Sequence, residues 1–138
     1  MVSEEIVKQA NENFYKAFNR RDIDLMKETW LNDSSSVCIH PGWGPLKGYD
    51  PIIKSWSAIF QNSQNMEIRL SQVEIIISDG MAWVGCQENL TIITDDGVQS
   101  SDVHATNLFQ LSGGQWRIVL HHASSAPARS MSDDALSN

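Results

Sequence analysis

The stretch that decides the fold is Met81-Ala82-Trp83-Val84-Gly85-Cys86-Gln87-Glu88-Asn89-Leu90-Thr91-Ile92-Ile93-Thr94. Its even-numbered residues Ala82, Val84, Cys86, Leu90 and Ile92 are apolar, the period of two that marks a β-strand with one buried face. Glu88 is the single interruption. A carboxylate on an apolar face needs a hydrogen-bonding partner, water or a raised pKa, because taking its charge out of water uncompensated is costly.

The neighbouring segments have the same period. Residues 66–78, 98–111 and 115–124 read as three further strands, separated from each other and from 81–94 by Asp79-Gly80, Asp95-Asp96-Gly97 and Ser112-Gly113-Gly114. Such turns suit hairpins, so the four strands should form an antiparallel meander. In 66–78 the apolar parity passes from Ile68 and Leu70 to Val73, Ile75 and Ile77, which predicts a bulge near Ser71-Gln72 and a bent strand. In 98–111 the core parity is Val103, Ala105, Phe109 and Leu111, interrupted by Asn107. In 115–124 it is Trp116, Ile118 and Leu120, continued by His122 and Ser124. Three adjacent strands are thus expected to point polar groups inward, where same-face residues of neighbouring strands converge.

Upstream the period changes to that of a helix. Ile6, Ala10, Phe14, Ala17 and Phe18, with Val7 alongside, recur at steps of three and four between Ser3 and Arg20, with acidic residues in the first turn and basic ones at the end. Asp22 offers a cap for a short second helix carrying Ile23, Leu25, Met26 and Trp30. Val37 and Ile39 suggest a short strand, which His40-Pro41-Gly42-Trp43-Gly44-Pro45 must stop. Asp50 before Pro51 predicts the start of a third helix, with Ile52, Ile53, Trp56, Ile59 and Phe60 as its buried stripe and an end near Gln61. The expected fold is therefore α+β, with three N-terminal helices on a strongly curved antiparallel sheet that forms a cone around a central pocket. It should occupy 1–126 as one domain, with 127–138 a flexible tail.

Composition excludes several functions. The chain has 138 residues, 41% hydrophobic, and 10 Lys+Arg against 17 Asp+Glu give a net charge of −7. A basic surface for nucleic acid or an acidic membrane is therefore not expected. No apolar run reaches the roughly 18 residues of a membrane span, and Met1 to Glu5 lacks the pattern of a signal peptide, so the chain reads as soluble and cytoplasmic. Cys38 and Cys86 are too few for a disulfide framework and lack close metal-ligand spacing; no metal site is expected. His121 and His122 alternate in a regular strand and cannot easily grip one ion.

The motifs Cys38-Ile39-His40-Pro41-Gly42-Trp43, Leu46-Lys47-Gly48 with Ser55-Trp56, Ala105-Thr106-Asn107-Leu108-Phe109, and Gly114-Gln115-Trp116-Arg117-Ile118-Val119 leading to His121-His122-Ala123-Ser124 resemble the SnoaL-like branch of the nuclear transport factor 2-like superfamily. That superfamily has a cystatin-like α+β cone and includes ketosteroid isomerase and scytalone dehydratase. The last motif is also similar to the calcium/calmodulin-dependent protein kinase II association domain. The resemblance implies the fold, a central cavity and dimerisation through the outer sheet face. Enzymes of the superfamily commonly pair Asp with Tyr or His; here Tyr15 and Tyr49 cannot be assigned to such a pair from sequence.

The leading expectation is a small-molecule pocket, for a partly apolar ligand, with cofactor-independent acid/base chemistry of isomerase, dehydratase or hydrolase type. Glu88 and His122 are the candidate catalytic residues, with Asn107 as donor to a developing oxyanion. Ser124, Trp43, Trp56 and His40 are candidates for binding the ligand. The alternative is a noncatalytic module in which the outward Thr91, Ile93, His104, Thr106 and Leu108 carry contacts between copies, and the apolar content of the outward Trp83, Ile93, Thr106 and Leu108 makes a second copy the expected cover.

Overall fold

The protein is represented by a computed structural model that describes residues 3–62 and 65–126. Helices α1 (Ser3–Arg20), α2 (Ile23–Thr29) and α3 (Tyr49–Asn62) pack on a curved, unclosed sheet. Its strands are β1 (Val37–Ile39), β2 (Leu46–Lys47), β3 (Met66–Ser78), β4 (Met81–Thr94), β5 (Gly97–Ser112) and β6 (Gln115–Ser125), in the spatial order β2-β1-β6-β5-β4-β3. The long hairpins lie where the turn residues put them. The sheet is mixed, because β1 joins β6 in parallel, with Cys38 opposite His121. The tail expected at 127–138 lies outside the described residues.

Helix α2 is capped by Asp22, whose Oδ1 accepts from the Leu25 N–H at 3.0 Å. It ends before Trp30, which leaves the helix to bridge Ile118 on β6 and is fully buried there. Helix α1 turns a slightly different face to the sheet than Ile6 and Ala10 suggest. Val7, Asn11, Phe14, Tyr15, Ala17 and Phe18 are buried, while Ile6 is exposed. Phe14 stands at the centre of the core, edge-on to Tyr15 at 4.8 Å, Trp56 at 5.5 Å and Trp30 at 6.4 Å. Helix α3 starts one residue before Asp50, behind Gly48, whose φ of +92° suits a residue without a side chain.

Two bulges set which side chains reach the core. On β3, Ser71 pairs with Gln87 and Glu74 with Gly85, so Gln72 and Val73 share the space opposite Cys86, and Gln72 has φ +54°. This is the bulge that the parity change predicts. On β6, Leu108 faces Leu120 but Phe109 faces Ile118, which leaves Val119 as an extra residue. A one-residue insertion swaps the faces of everything beyond it. Ile118 is buried before the bulge, and His121 and Ala123 after it. His122 and Ser124 are consequently exposed on the outer face, opposite Thr106 and His104. Their expected inward placement is corrected by that bulge. Leu111, paired with Trp116 next to the turn between β5 and β6, is also exposed.

On the outer face, pairing aligns Ile76, Trp83, Leu108, Leu120 and Val37 in one row across five strands. Ile76 and Trp83 are exposed and the other three half-buried.

Candidate functional site

Between the helices and the concave sheet face is a cavity of about 250 Å³. Helix α1 supplies Phe14, Tyr15 and Phe18, α3 supplies Trp56 and Ile59, and the loop after β1 supplies His40, Pro41 and Trp43. The sheet contributes Met66, Ile68, Glu88, Leu90, Val103 and His121. The wall is mostly aromatic and aliphatic. It carries one carboxyl group and two imidazoles, and no lysine or arginine lines it.

Glu88 is 5% exposed, and its Oε2 accepts a 2.7 Å hydrogen bond from the Tyr15 hydroxyl. The Tyr15 oxygen in turn accepts from Asn107 Nδ2 at 3.0 Å. The same amide nitrogen donates to Asn11 Oδ1 at 2.9 Å, so both its hydrogens are used. Asn107 Oδ1 lies 2.6 Å from His121 Nδ1. An amide oxygen only accepts, which puts a proton on His121 Nδ1 and leaves Nε2 as a bare lone pair. A single donor direction thus runs from His121 through Asn107 and Tyr15 to Glu88. Chains of this kind polarise one another, and each unmet member in such a place costs about 1–3 kcal/mol.

A second imidazole is fixed independently. The Ser55 hydroxyl donates to the Ile52 carbonyl at 2.6 Å, so its oxygen accepts from His40 Nε2 at 2.9 Å, with the proton on Nε2. Trp43 and Trp56 stand edge-on to the His40 ring at 4.8 Å and 4.6 Å.

Burial determines the charges. It raises the Glu88 carboxyl to about 7, with the Tyr15 bond pulling the other way. It lowers His40 to about 4, and it lowers His121 to about 3 with help from His40 and His122. Both rings are neutral at pH 7. Burial, then the Glu88 charge, pushes the Tyr15 hydroxyl well above its usual range, so it stays a donor. Cys86 is pushed up to about 11 and Cys38 is also raised, chiefly by burial; neither is a thiolate at neutral pH.

Of the residues singled out from sequence, Glu88, His40, Trp43 and Trp56 line the cavity. Trp43 is the rim residue, 49% exposed. Asn107 is fully buried behind Tyr15 and is absent from the lining, and its engaged amide has no hydrogen left for an oxyanion. His122 and Ser124 are outside, and His121 holds the inward place expected for His122. Tyr15, Asn11 and His121 are functional candidates that the sequence reading missed. Asn11 had a signal of the same kind as Glu88, since it interrupts the stripe Val7, Asn11, Phe14, Phe18. Among the described residues no three His, Cys, Asp or Glu side chains are grouped to hold a metal ion, and no helix is long and apolar enough to cross a membrane.

The profile of the SnoaL-like domain matches residues 7–129, and the chain belongs to that family. It is similar in structure to a protein of the nuclear transport factor 2-like family from Streptomyces avermitilis proposed to be a dehydratase. The identity is 28% and the TM-score 0.84, covering 90% of this chain and 97% of that one. A protein from Thiobacillus denitrificans proposed to be a calcium/calmodulin-dependent protein kinase type II association domain is 30% identical with a TM-score of 0.78, covering 87% and 94%. Among curated sequences, the F-box protein SKIP8 of Arabidopsis thaliana is 31% identical over 114 residues, 83% of this chain. The chain spans about half of that relative, 47% of its length.

Proposed function

We propose that the protein binds a small, partly apolar molecule in this cavity and catalyses cofactor-independent proton transfer on it, with Glu88 as the acid/base. The observation that carries this reading is a single carboxyl group set in an aromatic wall and held by the Tyr15 hydroxyl. A group that titrates near neutral pH is populated in both forms, as a general acid or base requires. Tyr15 occupies Oε2, so exchange with the ligand falls to Oε1. The carboxylate takes a proton from a carbon acid, and the resulting carboxylic acid returns it to another atom of the same molecule. That sequence balances as an isomerisation. The likeness to a protein proposed to be a dehydratase supports elimination as a second outcome of the same proton removal. His121, Asn107 and Asn11 act as positioning residues for Tyr15.

The experiment is deuterium wash-in. A panel of small cyclic hydroxyketones is incubated in D2O with wild type and Glu88→Gln, and exchange at the carbon next to the carbonyl is followed by NMR. Wild type is expected to accelerate exchange for at least one member, and the variant to lose roughly 100-fold or more of that rate. Equal rates for both proteins would contradict the assignment.

A noncatalytic role in homo-oligomers is the second reading, favoured by the apolar row Ile76, Trp83, Leu108, Leu120 and Val37 on the outer face. A second copy of the chain is the cover we propose for it. The two readings use opposite faces of the sheet and are compatible.

A further inference from the structure

We propose that the cavity selects neutral molecules that bring two hydrogen-bond donors, the chemistry of a diol or dihydroxyarene, one donor meeting Glu88 and the other the bare Nε2 of His121. This rests on the reading of the cavity as a small-molecule site and specifies what that molecule must carry. The argument is an inventory of polar atoms that remain open.

The buried donors on the wall are spent or sealed, which leaves open the Trp43 indole N–H at the rim and, in its protonated form, Glu88 itself. The Tyr15 hydroxyl is given to Glu88, His121 Nδ1–H to Asn107 and His40 Nε2–H to Ser55. The Trp56 indole N–H has no partner but is shut in by packing. Acceptors remain. Glu88 has used one oxygen. His121 Nε2 has no hydrogen bond, yet it is not among the sealed, unpartnered atoms, which among the described residues are the indole nitrogens of Trp30 and Trp56. Since His121 lines the cavity, that lone pair opens into it. A ligand that offered only carbonyl or ether oxygens would leave the ionised Glu88 and His121 Nε2 unpaired in an apolar space, whereas hydroxyl or N–H donors satisfy them. An anion would meet a carboxylate and no cationic side chain. The flat rings of Phe14 and Trp56 and the volume, below the usual range for drug-sized ligands, favour a compact planar body.

The test uses a dihydroxynaphthalene, the corresponding naphthol and naphthalene as probes, titrated into wild type by heteronuclear NMR. Removing hydroxyls makes the probe more apolar, so burial alone would tighten binding along the series. The expected result is the reverse, with a loss of roughly tenfold or more per hydroxyl removed. Nitrogen-15 shifts of wild-type His121 should show a proton on Nδ1 and none on Nε2. In His121→Phe the diol and the naphthol should bind alike; the wild-type measurements stand whether or not that variant folds. Naphthalene binding as tightly as the diol, or a proton found on Nε2, overturns donor selection while the cavity reading survives. If none of the three probes perturbs Phe14, Glu88 and His121, the small-molecule reading falls and the proposal with it.

Discussion

The Tyr15 hydroxyl stands 2.7 Å from Glu88 Oε2, and it joins a residue of the first helix to a strand that begins more than sixty positions later in the chain. Because Asn107 donates to the same hydroxyl, removing that oxygen unpairs two groups at once. Tyr15→Phe keeps the ring and deletes the bond. The expected cost in chemical denaturation is about 1–3 kcal/mol. It should be larger at pH 8, where Glu88 is charged, than at pH 5, where it is neutral.

The stability profile follows from three buried groups. Glu88 rises from its ordinary value to about 7, so the folded state binds its proton more tightly, and stability present at low pH is lost as pH rises from about 4.5 through 7. His40 and His121 fall to about 4 and 3, so their contribution is complete above about 6.5 and is lost as pH falls through the folded values. Two histidine slopes outweigh one carboxyl slope up to about pH 7, where they balance, and the carboxyl dominates above it. Stability from these groups should peak near pH 7. In Glu88→Gln the fall above that point should disappear, leaving the variant more stable than wild type at pH 8 by up to about 3 kcal/mol. Urea midpoints at pH 5, 7 and 8 check both statements.

The adjacent histidines should behave oppositely. His121→Ala removes a buried partner of Asn107 and a ring 4.9 Å from Phe14, and should cost about 2–4 kcal/mol. His122→Ala lies on the exposed outer face and should stay within about 0.5 kcal/mol of wild type. Thermal denaturation of the two variants distinguishes this arrangement from one with His122 inside.

How much of this was legible in the sequence depended on which signals are local. The four long strands were readable because turn residues and a period of two mark them, and the β3 bulge because it leaves a visible parity change from Leu70 to Val73. The β6 bulge leaves no such trace. Trp116, Ile118 and Leu120 keep an unbroken apolar alternation straight through Val119, so His122 looked inward although the pairing with β5 turns His121 in. The parallel addition of β1 to β6 depends on a contact between distant segments and has no local mark. Glu88 was legible as a polar break in a strand. Tyr15 was not, because a tyrosine beside Phe14 looks like packing until Asn107 and Glu88 are brought to its hydroxyl. Trp56 was legible from the apolar period of the third helix, and Trp43 from its place in the Pro/Gly loop.

The outer apolar row gives an oligomer prediction. Trp83 and Leu108 are directly paired at its centre, so Trp83→Glu or Leu108→Lys places a charge in any interface built on it. Light scattering after size exclusion should show a dimer for wild type at micromolar concentration and monomer for both variants. A monomeric wild type would remove the proposed second copy.

The most direct measurement of the central claim is a carbon-13 NMR titration of the Glu88 side-chain carboxyl in wild type and Tyr15→Phe. The expected midpoint in wild type is near 7, and it should move higher in the variant, because the lost hydrogen bond had favoured the charged form. A wild-type midpoint in the ordinary glutamate range near about 4.3 would contradict the assignment of Glu88 as the group that exchanges a proton with the ligand.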